Sequence, residues 1–189
     1  MPWNKYILDQ FESSRRTGEY DELQYNGAYN SLLFDLFPYQ EGYMVGPQKA
    51  VDSTMIFLVW HADHPVFFIE IKPAGHIHHV SHRVSADEQM RARFEVLWDR
   101  VEIPILYAVS AIGTKLCFYR YPKATRHLEP ALTPSNTTMV IDKAPVNRWD
   151  VDVLTLQGEQ RLREVIDHIK GNVRTEEIRF SSIFLSLIY

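Results

Sequence analysis

The fold is decided by residues 55–72, which read Met-Ile-Phe-Leu-Val-Trp-His-Ala-Asp-His-Pro-Val-Phe-Phe-Ile-Glu-Ile-Lys. Two apolar runs, residues 55–60 and 66–72, have the length and the β-branched and aromatic content of buried strands. Residues 61–65 between them, His-Ala-Asp-His-Pro, favour a turn. This stretch therefore predicts a β-hairpin with both strands inside the protein.

Helices and further strands are predicted on both sides of this hairpin. Helices are predicted over residues 3–15, 20–36, 85–100 and 159–170, and further strands over residues 105–111 and 115–121. Ser85 and Glu88 form a capping box that would open the third helix, and Gly171 would end the last one. This order of elements predicts an α/β fold with a mixed central β-sheet flanked by helices.

Length and composition limit the class of protein. A chain of 189 residues predicts one domain, with a core over about residues 20–121 and a loop, a helix and an apolar tail over residues 122–189. The 20 Lys and Arg residues against 24 Asp and Glu residues give a net charge of −4, so any nucleic-acid site must be local. The one cysteine, Cys117, excludes an internal disulfide framework and a Cys-based zinc site.

The sequence also bears on the location of the protein in the cell and on its oligomeric state. It shows no signal peptide and no apolar run of membrane-spanning length, so we expect an intracellular protein, in cytoplasm or nucleus, with no membrane partner. The apolar residues at the end of the chain, 178–189, would be costly to expose. They are expected to pack within the chain or to join two copies in a homodimer.

Charged residues interrupt the apolar hairpin. Glu70 and Lys72 are two positions apart, so in a strand they point to the same face. Asp52 stands just before the first apolar run, and an antiparallel hairpin would bring it beside the end of the strand that carries Glu70. The simpler alternatives are a solvated ion pair at a sheet edge for Glu70 and Lys72, and a turn or cap role for Asp52.

The three charged groups suit metal-assisted hydrolysis of phosphodiester bonds. The carboxylates of Asp52 and Glu70 are hard oxygen ligands of the kind that Mg²⁺ or Mn²⁺ prefers, and the carbonyl of Ile71 is a candidate third ligand. A metal ion held there would acidify a bound water and neutralise charge at phosphorus. Lys72 would orient or deprotonate the water, or stabilise the charge that develops on the phosphate.

This pattern, Asp52 followed one hairpin later by Glu70-Ile-Lys72, resembles the PD-(D/E)XK nuclease superfamily with its restriction-endonuclease-like fold. The resemblance covers about residues 20–121 and implies a nuclease that acts on DNA or RNA. Two segments, residues 32–47 and 87–94, are also similar to uncharacterised proteins of mushroom-forming fungi, a likeness that implies no function.

The resemblance implies further site residues. Gln89 matches a glutamine that many exonuclease-like members carry at the start of the helix after the motif strand. Those members have an aromatic residue four positions later, where this chain has Arg93, a candidate for holding a phosphate. The proline that usually precedes the first aspartate is replaced by Val51. Members often add a glutamate from the first helix, and Glu22 is the candidate here.

Four histidines follow the motif strand, at positions 76, 78, 79 and 82. Histidine is a common transition-metal ligand, but this segment has no cysteine and no fixed ligand spacing. The other interpretations are a phosphate contact by His76, His78 and His79, or a surface loop with no specific role. The weak positive charge around the motif leaves a second function open, that of a catalytically inactive nuclease-fold protein that binds nucleic acid or protein.

Overall fold

A mixed β-sheet lies at the centre of the protein in the computed structural model. Within the described residues its strands are β1 (Tyr43–Lys49), β2 (Met55–His61), β3 (His64–Lys72), β4 (Ile105–Ile112), β5 (Lys115–Pro122) and β6 (Val151–Asp152). Their order in the sheet is their order in the chain. β3 and β4 run parallel and the other neighbours run antiparallel. The predicted mixed sheet is confirmed.

Helices cover both faces of the sheet, as predicted. They are α1 (Lys5–Arg15), α2 (Asn26–Leu36), α3 (Val80–Leu97) and α4 (Leu156–Ser186). Phe67 and Phe68 are adjacent on β3 and so point to opposite faces. The Phe68 ring packs against Phe94 of α3 with centroids 4.9 Å apart, and the Phe67 ring packs against Phe37, at the end of α2, with centroids 5.6 Å apart.

The structure describes residues 3–16, 18–21, 23–49, 55–133 and 142–186, with the backbone alone for Lys49 and for residues 180–186. Asp52 and Glu22, two predicted site residues, lie outside this part of the chain, as does Val51. The side chains of the apolar tail from residue 180 onward also lie outside it. No described helix combines the length and the apolar character that crossing a membrane requires.

The β2–β3 hairpin confirms the first prediction. Its register pairs Met55 with Ile71 and His61 with His64. The turn is Ala62 and Asp63, with φ of 47° and 66°, which is the positive-φ geometry of tight two-residue hairpin turns. The strands therefore extend further into the predicted 61–65 turn than expected.

The predicted start of α3 is wrong. The helix begins at Val80, so the capping box of Ser85 and Glu88 lies inside it. The first turn is stabilised by Arg83, whose guanidinium donates to the carbonyl of Ile77 at 2.7 Å and to that of Ala144 at 2.9 Å. These hydrogen bonds stabilise an additional helical turn, which precedes the start that the local pattern indicates.

The predicted end of α4 is also wrong. The helix continues through Gly171 to Ser186. Ile169 and Val173 are both buried and lie one turn apart, so the apolar stripe that packs on the protein continues past the glycine. A single glycine in a helix costs only about 1 kcal/mol relative to alanine, which this packing offsets.

Two strands were not predicted. β1 contains Gly46 and Pro47, which argue against a strand. Among the described strands β1 pairs with β2 alone, as an edge strand does, and an edge tolerates a proline that cannot donate a backbone hydrogen bond. β6 has two residues, Val151 and Asp152, too few to show a period.

Candidate functional site

Glu70 and Lys72 form an ion pair inside the protein. The Lys72 Nζ atom lies 3.2 Å from the Glu70 Oε1 atom, and Lys72 and Glu70 are 7% and 1% exposed. β3 lies between β2 and β4 in the middle of the sheet. The alternative of a solvated ion pair at a sheet edge is therefore wrong.

The sheet register defines what surrounds Glu70. Its neighbours across the strands are Ile56 on β2 and Ser110 on β4. Ser110 is fully buried, and its Oγ atom accepts a hydrogen bond of 3.3 Å from Nε1 of Trp149. Trp149 therefore anchors the segment before α4 on the face of the sheet that carries Glu70.

The hairpin brings the start of β2 beside the end of β3, since Met55 pairs with Ile71. This is the arrangement on which the prediction for Asp52 depends. Asp52 precedes Met55 and lies outside the described residues, so its convergence with Glu70 and Lys72 stays a prediction.

Residues on both sides of Glu22 in the sequence contact the residues that follow Lys72. The backbone N–H of Gly75 donates to the Glu19 carbonyl at 2.8 Å, and that of Ala74 donates to Gln24 Oε1 at 3.3 Å. Residues on either side of Glu22 therefore lie at the Lys72 end of β3. Glu22 itself is outside the described residues.

Gln89 and Arg93 lie one turn apart on α3, and both are half-buried. Phe68 and Glu70 share one face of β3, and α3 packs on that face through Phe94. The helix therefore lies on the side of the sheet that carries Glu70 and Lys72, as the assignment of Gln89 requires.

Three of the four histidines pack together. The His82 ring centroid lies 4.0 Å from that of His76 and 5.1 Å from that of His79, while His78 is exposed. The His79 Nε2 atom lies 3.2 Å from the Tyr20 hydroxyl. Within the described part of the chain, no three His, Cys, Asp or Glu side chains are arranged to hold a metal ion. The described histidines are therefore not arranged as the transition-metal site considered from the sequence.

The chain matches no protein-family model, and neither its sequence nor its fold has a significant match among characterised proteins or solved structures. Its function is therefore inferred from the chemistry of the residues around Glu70 and Lys72.

The environment of His76 predicts a pH effect on stability. Burial, together with the charges of His82, Lys72 and His79, lowers the pKa of His76 from 6.5 to about 4. Between these two values the unfolded chain binds a proton at this position that the folded protein does not bind, so stability falls as pH is lowered from 6.5 to 4. We expect the melting temperature of His76→Asn, measured by circular dichroism, to fall less than that of the parent as the pH is lowered across this range.

The control for this prediction is His127→Asn, a change of an exposed histidine in the segment after β5. This variant is expected to follow the parent at each pH. Equal losses in His76→Asn and the parent would contradict the effect.

Sequence reasoning missed a buried network around Asp87 of α3, which is 3% exposed. Its carboxylate accepts hydrogen bonds from Arg91 at 2.8 and 3.0 Å, from Tyr119 at 2.8 Å and from Arg148 at 3.0 Å. The i, i+4 spacing of Asp87 and Arg91 was a signal for one of these contacts. No sequence pattern connects Arg148 to them.

Cys117 is buried, as predicted. Burial raises the pKa of its thiol to about 12. A thiol with such a pKa carries almost no thiolate at neutral pH and is a poor nucleophile.

Proposed function

We propose that this protein is a nuclease that uses Mg²⁺ or Mn²⁺ to hydrolyse phosphodiester bonds of DNA or RNA on a restriction-endonuclease-like fold. The observation that carries this proposal is the buried pair of Glu70 and Lys72 in the middle of an apolar strand. Removing two charges from water costs several kcal/mol per ion, and apolar residues of similar size are often as stable there. A role in chemistry accounts for the pair better than a role in folding.

The topology supports the same function. The hairpin of β2 and β3 is followed by α3, which crosses over to β4, parallel to β3. This is the order of elements that the resemblance to the PD-(D/E)XK superfamily implies around its motif. The helix that carries Gln89 packs on the face of the sheet that carries Glu70 and Lys72, which supports the assignment.

The donors at this site suit a hard cation. The Glu70 carboxylate and the Ile71 carbonyl would supply oxygen ligands from adjacent residues, and Asp52 is the predicted source of the second carboxylate. A Mg²⁺ or Mn²⁺ ion bound here would lower the pKa of a water molecule and offset negative charge on the phosphate.

The protein's own residues would divide the remaining work. Lys72, whose Nζ atom lies 3.2 Å from Glu70 Oε1 in a buried position, would orient the attacking water or stabilise the charge on the phosphate oxygens. Low exposure to water strengthens the attraction between the Lys72 ammonium group and the phosphate oxygens. Gln89 would help to orient the water or the phosphate, and Arg93 would hold a neighbouring phosphate.

A cleavage assay tests the proposal. Labelled single- and double-stranded DNA and RNA are incubated with the purified protein and Mg²⁺, Mn²⁺ or EDTA. We expect cleavage with either metal and none with EDTA, and a loss of about 10²–10³-fold in rate for Glu70→Gln and for Lys72→Met. Glu95→Gln and Lys143→Met, which change exposed residues, are the matched controls. Cleavage that persists at the parent rate in Glu70→Gln and Lys72→Met would refute this site.

One observation favours the alternative of an inactive nuclease-fold protein that binds nucleic acid or another protein. Two of the cations near α3, Arg91 and Arg148, are paired with Asp87 rather than directed at a substrate. Titration of the protein with Mn²⁺ by calorimetry separates the two functions. Metal binding that Asp52→Ala abolishes supports the nuclease, while nucleic-acid binding without metal binding or cleavage supports the alternative.

A further inference from the structure

An exposed aromatic side chain lies next to the candidate site. Tyr20 is 56% exposed, although it is fixed by two contacts. Its hydroxyl lies 3.2 Å from Nε2 of His79, and its ring packs against Gly75. A ring that is already held in place can offer its exposed face to a ligand at little further cost in side-chain entropy.

The contact with Gly75 positions Tyr20 at the Lys72 end of β3. Gly75 belongs to a short 3₁₀ helix, Ala74–His78, that begins soon after Lys72. A Cβ atom at this position would lie 2.7 Å from two atoms of the Tyr20 ring, so only glycine permits this approach. The hydrogen bond from Gly75 to the Glu19 carbonyl fixes the backbone beside the ring.

Three histidine rings pack together beside Tyr20. The Tyr20 centroid lies 6.3 Å from that of His76 and 6.2 Å from that of His79, and His82 packs on both histidines. We call these four residues the ring cluster. The positive charge of Lys72 acts on His76, which connects the cluster to the buried ion pair. Since the pKa of His76 is about 4, its ring is uncharged at neutral pH.

Aromatic rings recognise the flat faces of bases, and the uncharged ring of His76 offers a phosphate no positive charge. Stacking of bases on aromatic side chains is a common way to bind single strands with little sequence preference. In a duplex each base face is covered by its neighbours, so it is the unpaired bases that offer a face. Duplex binding depends instead on many phosphate contacts, which the net charge of −4 of this chain does not favour.

We propose that the ring cluster is a stacking platform for an unpaired base, and that the substrate of the neighbouring site is single-stranded DNA or RNA. This inference rests on the proposed nuclease function for the reaction. The binding step does not require cleavage and is measured separately. Tyr20 would contact the substrate directly, and the histidines would hold its ring in place.

The test measures binding in EDTA by fluorescence anisotropy, with single-stranded DNA, single-stranded RNA and a blunt duplex of the same sequence. We expect at least one of the single strands to bind more tightly than the duplex. Tyr20→Ala is expected to weaken this binding by about 5- to 100-fold, and Tyr20→Phe, which keeps the ring, by no more than about twofold. Tyr39→Ala, which removes an exposed tyrosine elsewhere, is the matched control.

Several results would overturn the platform. They are binding of the duplex as tight as that of both single strands, no binding of either single strand, an unchanged affinity in Tyr20→Ala, or an equal loss in Tyr20→Phe. The melting temperature of each variant shows that it is folded. Failure of the platform and of the nuclease remain distinguishable. Single-strand binding through Tyr20 without cleavage would support the platform and refute the nuclease. Cleavage that is unaffected in Tyr20→Ala would support the nuclease and refute the platform.

Discussion

Replacement of Asp87 by alanine is expected to lower the free energy of unfolding by about 3–5 kcal/mol. The carboxylate of Asp87 is the common acceptor for Arg91, Arg148 and Tyr119, and it is 3% exposed. Its removal would leave two guanidinium groups and a buried hydroxyl without this acceptor. Urea denaturation followed by tryptophan fluorescence measures the loss.

The effect is expected to spread beyond α3. Arg148 also donates to the carbonyl of Ala131 and to the Thr133 hydroxyl, and Arg91 donates to the carbonyl of Pro130. Asp87 therefore positions the two arginines that attach the segment after β5 to the helix. We expect limited proteolysis to cut this segment faster in Asp87→Ala.

The matched control is Glu88→Ala, the neighbouring residue on the same helix. Glu88 is exposed, so the substitution is expected to change the free energy of unfolding by less than about 0.5 kcal/mol. Asp87→Asn keeps the shape and one acceptor oxygen and is expected to fall between the two. A loss in Asp87→Ala no larger than in Glu88→Ala would show that the network does not stabilise the protein.

The central sheet was predictable because its signals are local and repeated. The apolar runs of β2 and β3 and the polar turn between them specify the hairpin within one short stretch of chain. The strands β4 and β5 follow from the same kind of pattern. β1 was missed because Gly46 and Pro47 are acceptable only at an edge of the sheet, and sequence does not show which strand will be an edge.

The errors at the helix ends have a different cause. Ser85 and Glu88 form a sound local pattern for a helix start, but Arg83 binds the carbonyl of Ala144, far along the chain, and so stabilises an earlier turn. Likewise Gly171 is a sound local pattern for a helix end, but burial of Val173 continues the helix. In both places a tertiary contact outweighs a preference of about 1 kcal/mol.

In the candidate site, too, the features with a local pattern were predictable and those that depend on tertiary contacts were not. Glu70 and Lys72 were predictable because the alternation of side chains along a strand is regular and both charges fall on one face. The ring cluster was not, since Tyr20 meets Gly75 and His79 from a distant part of the chain. The Asp87 network joins α3, β5 and the segment before β6, three parts that no local pattern relates.

Replacement of Lys72 alone by methionine is expected to lower the free energy of unfolding by about 3–5 kcal/mol, because the buried carboxylate of Glu70 would lose the cation 3.2 Å away. The double change Glu70→Leu with Lys72→Met removes both charges and fills the space with apolar atoms. Such replacements of buried ion pairs are often neutral or stabilising by about 1–4 kcal/mol. We therefore expect the double variant to regain at least the stability of the parent in urea denaturation.

The same variants separate a role in folding from a role in catalysis. If Glu70 and Lys72 serve the cleavage reaction, the double variant has its stability back and still cleaves about 10²–10³-fold more slowly than the parent with Mg²⁺ or Mn²⁺. Glu95→Gln with Lys143→Met, two exposed charges removed together, is the control and is expected to leave stability and cleavage near those of the parent. A double variant less stable than Lys72→Met alone would show that the pair is kept for folding, which would remove the main support for a catalytic site at this end of the sheet.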